Sequence, residues 1–148
     1  FNYGAGKYKR VIKAYKFTIL SSQVLITVVS MLVLAFSPRL IRIFRDDIKV
    51  IEIGTLALQM QCIALLVHPV SVATNMMLQS TGQKILAAFT ALLRNGLCFI
   101  PLILILPDAF GLLGVQMTQP IADIVAVSIT VPIAVKTVAV LKNQMRKE

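Results

Sequence analysis

Apolar residues fall into four long runs along the chain, parted by short polar or charged stretches. The first, Phe17 to Phe36, carries no charge over twenty residues, enough to cross a bilayer as a helix. The second runs from about Ile53 to Leu78, the third from Ile85 to Leu106, and the fourth from about Leu112 to Val135. Many of these residues are β-branched, but that does not argue for strands. In hydrocarbon every backbone group must be paired inside its own segment. The pattern predicts an all-α integral membrane protein with four transmembrane helices. The second run is longer than a bilayer requires, so its helix is expected to tilt or kink.

Polar residues inside the runs recur at helical spacing. Gln23, Thr27 and Ser30 share one face of the first span, either for interhelical hydrogen bonds or to line a wet cavity. Gln61, His68 and Asn75 are seven apart in the second, with Ser71 and Gln79 near the same line. Pro69 frees the carbonyl of Leu65 and predicts a kink there. His68 lies near the membrane midplane, where it is costly unless paired or wet; it fits a structural hydrogen bond or a substrate or proton contact. The third span contains Arg94, Asn95, Gly96 and Pro101, another expected kink. Arg94 is roughly 15 Å beyond Lys84 at 1.5 Å per residue, too deep for easy snorkelling. Gln116, Gln119 and Asp123 share a face of the fourth span, with Thr130 seven residues further and with Pro120 and Pro132 expected to interrupt the helix. Asp123 lies roughly 20 Å from Lys136, close to the depth of Arg94. An Arg94–Asp123 ion pair between adjacent spans follows, as a structural bridge or as a gating latch.

The connections are short. Ser37-Pro38 is expected to end the first helix. The stretch RLIRIFRDDIKVIE from Arg39 reads as a short amphipathic helix in the interface, with Asp46 or Asp47 capping the next span. QSTGQK is a tight turn with Gly82 as helix C-cap. Pro107, Asp108 and Gly111 mark the turn between the last two spans. Asp46, Asp47 and Glu52 sit among arginines and suit caps and local ion pairs.

Composition agrees. The chain is 57% hydrophobic, with mean hydropathy +0.84 and only 14% charged residues, far below a soluble domain. Residues 1–16 combine a turn at Gly4 and Gly6 with Lys7, Lys9, Arg10, Lys13 and Lys16, and read as a cytoplasmic loop. Alternating the spans from there, and reading 136–148 as a cytoplasmic tail, places ten cations inside and four outside. The net charge of +9 therefore reports topology rather than nucleic-acid binding, with anionic lipid contact compatible. Cys62 and Cys98 lie inside apolar runs as thiols, with neither disulfide nor metal expected. The single His and the absence of any hydrolase, zinc-protease or phosphate-loop motif argue against an enzyme. An ordered polar lining without a catalytic constellation favours passage of a solute. There is no secretory signal pattern, and the opening on Phe1 in mid-motif leads us to expect a piece of a longer chain.

Four stretches resemble one transporter family. FNYGAGKYKRV is similar to the loop after the second helix of the C-terminal lobe in multidrug and toxic compound extrusion (MATE) exporters. Ser80 to Gln83 resembles their cytoplasmic turn between the fourth and fifth helices of that lobe. RNGLCFIPLILILPDAFGLLGV, from Arg94, resembles the fifth helix, and TQPIADI, from Thr118, the start of the last. The resemblance implies a partial C-terminal lobe, helices nine to twelve of a twelve-helix, two-lobed fold, whose N-terminal lobe and first C-terminal-lobe helices lie outside this chain. It implies a multi-pass protein of the bacterial inner membrane. Such a protein exports small cationic amphipathic compounds in exchange for H+ or Na+ by alternating access. No other cofactor is expected. Gln61, His68, Asn75 and Gln119 are the implied cavity residues. The second span lacks the interior carboxylate that some members carry, so coupling is expected to depend on residues elsewhere, with Asp123 a local candidate. Two other readings stay open: a lipid-linked oligosaccharide flippase of the same architecture, and a free-standing four-helix scaffold or regulatory protein.

Overall fold

The computed structural model describes residues 1–146, and these form helices and tight turns with no strand. A turn closed by Gly6 at φ 71° leads into α1 (Tyr8–Phe44). Then follow α2 (Ile48–Leu65), α3 (His68–Ser80), α4 (Lys84–Leu92), a π-helical segment (Leu93–Cys98), α5 (Phe99–Phe110) and α6 (Leu112–Met145). Four stretches are long and apolar enough to cross a membrane: α1, α2, the rod Lys84–Phe110, and α6. The expected all-α membrane architecture is therefore present.

Helix ends differ from the sequence expectation, chiefly at prolines. The first helix begins at Tyr8, so residues 8–16 are helical rather than loop. It does not stop at Ser37-Pro38 but continues to Phe44, and the arginine-rich stretch is its last turns rather than a separate interfacial helix. Pro38 leaves the carbonyl of Leu34 without its usual N–H donor. The buried Ser37 hydroxyl donates to that carbonyl at 3.2 Å and accepts from Gln59 Nε2 at 3.3 Å, so the lost bond is replaced. Pro107 likewise stays inside α5, and the turn shrinks to Gly111 alone at φ 56°. Pro120 and Pro132 lie within an unbroken α6, which also carries the expected tail in helical form to Met145. Lys147 and Glu148 lie outside the described residues.

Pro69 behaves in the opposite way. The second span breaks at Leu66 and Val67, whose N–H groups bond only three residues back, to Ile63 and Ala64. Pro69 is then in the first turn of α3, where a missing N–H has no helical partner to lose. Asp47 caps α2, accepting from Lys49 N at 2.9 Å and Val50 N at 3.3 Å. The α3–α4 turn closes with Gln83 N on Leu78 O and Gly82 N on Gln79 O, Gly82 taking φ 78°, the glycine-terminated helix end expected of QSTGQK.

α6 is the centre of the bundle and packs against α1, α2, α3, the π segment and α5. Its buried face repeats every fourth residue: Gly114, Thr118, Ala122, Ala126, Thr130 and Ala134. Small side chains let backbones approach, which is what drives helix association where lipid removes the hydrophobic advantage. The Thr118 and Thr130 hydroxyls bond back to Gly114 O and Ala126 O at 2.8 and 2.7 Å, leaving their methyl groups for packing. At one end Ile12, Met77 and Leu141 close the core beneath Tyr3, Tyr8 and Tyr15. Outward, α1 exposes Phe17, Leu20 and Leu25 by about two thirds.

Candidate polar site between α3, α6 and the π segment

The deepest charges in the chain meet. Arg94 Nε donates to Asp123 Oδ1 at 2.6 Å, and Gln119 Nε2, one turn earlier on α6, donates to the same oxygen at 3.0 Å. Asp123 is 1% exposed and Arg94 28%. The other carboxylate oxygen, Oδ2, is buried with no protein partner. Burying a lone carboxylate here would be prohibitive, so a cation and a second donor are what the site requires.

Arg94 projects from the π segment, and the cause is local. Pro101 has no N–H for the carbonyl of Leu97 and its ring crowds that carbonyl. The backbone widens through Leu93–Cys98, and Gly96 within it has open space where a Cβ would stand. The extra residue fixes which side chains of this span face α3 and α6.

A cavity of about 270 Å³ adjoins the pair, lined by His68, Ser71, Asn75 and Gln79 of α3, Thr90 of α4, and Arg94 and Asn95 of the π segment. Asn75 Nδ2 donates to Ala87 O at 2.6 Å and Thr90 Oγ1 at 2.9 Å, while its Oδ1 accepts from Gln79 Nε2 at 2.5 Å. His68 Nε2 and Ser71 Oγ are buried without partners. On the other side of Met76, a second cavity of about 320 Å³ is faced by Tyr3, Tyr15, Met76 and Met77. A wall with a charge and open polar atoms, next to an aromatic and methionine-rich wall, suits an amphipathic ligand.

Of the cavity residues proposed from sequence, His68 and Asn75 line this cavity; Gln119 does not, and instead donates to the buried Asp123, which does not line it either. Gln61 does not line it. Its seven-residue spacing to His68 keeps one face only in an unbroken helix, and the helix breaks between them. Gln23 bonds Thr27 at 3.4 Å within α1, Ser30 is buried, and Gln116 Nε2 ties α6 to the Ile53 carbonyl at 3.1 Å. Thr90 was missed, since its contact with Asn75 comes from tertiary placement. The Tyr15–Thr74 hydrogen bond, 2.9 Å between α1 and α3, carried no sequence signal. Among the described residues no group of His, Cys, Asp and Glu side chains could hold a metal.

Comparison with known proteins supplies the family. The family described as MatE matches residues 1–105. "Multidrug export protein MepA" of Staphylococcus aureus (strain bovine RF122 / ET3-1) is 32% identical over 118 residues, covering 80% of this chain and 25% of that protein. The protein of the same name from Staphylococcus saprophyticus is 30% identical over 117 residues, covering 79% of this chain and 25% of that protein. The chain thus spans about a quarter of the length of the curated relatives it matches. No solved structure gives a significant match. A match over most of the chain, joined to the four-helix architecture and to motifs in the family's order, leads to one conclusion: the chain belongs to the MatE family.

Proposed function

We propose that this chain forms part of the C-terminal lobe of a secondary active multidrug exporter rather than an enzyme. On this reading the protein moves small amphipathic cations out across the bacterial cell membrane by alternating access, in exchange for H+ or Na+. The observation that carries it is the buried Arg94–Asp123–Gln119 cluster, whose Arg94 lines a polar cavity. A buried ionisable pair at that depth is expensive, and such groups mark solute paths. The printed name of the relatives, multidrug export protein, supports the same reading. The opening turn, the turn at Ser80 to Gln83 and the end of α6 face the cytoplasm, in line with their cations. The N-terminal lobe and the first helices of the C-terminal lobe complete the path, and coupling carboxylates outside this chain assist Asp123. The test is accumulation of ethidium in cells lacking exporters and expressing the full-length protein. Wild type should lower accumulation, and Asp123→Ala should abolish at least nine tenths of that effect at equal membrane abundance, on the order expected when a buried charge loses its partner. If the wild-type protein lowers accumulation of no amphipathic cation, the transport reading is wrong.

A further inference from the structure

We infer that the Asp123 carboxylate is an organic-cation site that Arg94 occupies as an internal stand-in, and that the π segment is the element that withdraws it. This rests on the transport reading.

The pair is built to be released. A purely structural Arg–carboxylate bridge gains most from two parallel bonds. Here Arg94 contributes one, through Nε, and its guanidinium makes no other hydrogen bond among the described residues. Asp123 Oδ2 is buried without a partner, while Gln119 supplies a second donor to Oδ1. The carboxylate is therefore pre-positioned, partly satisfied and able to take another donor.

The neighbouring cavity needs that carboxylate. Its lining offers His68, Ser71, Asn75, Gln79, Thr90 and Asn95, and no acid. His68 Nε2 and Ser71 Oγ, on residues of that lining, are buried and without hydrogen-bond partners. The nearest negative charge is Asp123, and Arg94 neutralises it. Entry of a cation and departure of Arg94 are thus one exchange, in which the carboxylate is never left unpaired.

The backbone supplies the movement. A π turn holds one residue more than an α turn, so conversion to α shifts the register by one residue, a rotation of about 100°. Arg94 is the second residue of the segment, so a rotation of this size carries it off Asp123. Gly96 meets nothing within 4 Å where a side chain would begin, so no close contact at that position opposes the change.

The experiment is calorimetric titration of ethidium, a cation with two amino donors, into the purified full-length protein. Arg94→Gln should bind on the order of tenfold tighter, because the site is no longer occupied for most of the time. Asp123→Asn should bind at least tenfold more weakly than wild type, and the double variant should match Asp123→Asn. Binding unchanged or weaker in a monodisperse Arg94→Gln protein would overturn the exchange. A second variant, deletion of Leu97, removes the extra residue while α4 and α5 keep their faces. It should retain Asp123-dependent binding yet export ethidium at under a tenth of the wild-type rate. Export at the wild-type rate would overturn the role of the π segment. Wild-type ethidium export is measured alongside, so failure of the transport reading is seen separately.

Discussion

At the scale of single residues, Gly114 decides how near α5 and α6 lie. A Cβ there would overlap the carbonyl oxygen of Leu106, and that is backbone, which cannot turn aside as a side chain would. Gly114→Val should therefore force the two helices apart, destabilising the bundle by about 1–3 kcal/mol or more. The measurement is thermal unfolding of the purified full-length protein, with Gly96→Val as the harmless comparison on packing grounds. Residue-level legibility followed charge. Arg94 and Asp123 were matched by depth because a charge deep in an apolar run must find its counterpart nearby. Thr90 was not legible, since a hydroxyl in an apolar helix ordinarily bonds its own backbone, as Thr90 also does to Ala87 O at 3.0 Å. Its second contact, to Asn75, depends on tertiary placement alone.

At the scale of elements, proline carries the lesson. Pro38 and Pro69 look alike in the sequence, yet one sits in a continuous helix and the other follows a break. The difference is what replaces the missing bond. Ser37 satisfies the carbonyl that Pro38 orphans, and Gln59 anchors that serine from α2. Ser37→Ala should then lower stability by about 1–2 kcal/mol, the effect of leaving a buried acceptor unpaired. Adding Pro38→Ala should recover most of it by returning the N–H; recovery is read by unfolding midpoint, and no recovery would show that Ser37 acts only through Gln59. Hydrophobic periodicity reports where a helix is wanted, so four spans were legible. It does not report side-chain repair of the backbone, so the ends at Phe44 and Phe110 were not. The π segment escaped for the same reason: Gly96 and Pro101 mark strain, but the form its relief takes depends on neighbours.

At the scale of the molecule, the arrangement is a set of helices leaning on one. The site exists because α6 brings Asp123 and Gln119 to a wall whose other parts come from α3, α4 and the π segment. Side chains on four elements thus contribute, and no local stretch of sequence holds them all. That is why the ion pair, His68 and Asn75 could be anticipated while the place of Thr90, and the separation of Gln61 and Gln119 from the cavity, could not.

The four-residue seam of small side chains on α6 also has a history in time. Among the described elements α6 leaves the ribosome last. Until it arrives, the earlier spans described here lack the helix against which most of them pack. The nascent protein should therefore pass through a stage in which its helices are inserted yet unassembled, with Arg94 awaiting its counter-charge. A chain ended before Leu112 should persist in that stage, and pulse-chase labelling should find it cleared several times faster than the full-length protein. In this bundle quality control would be reading a single event, the docking of α6.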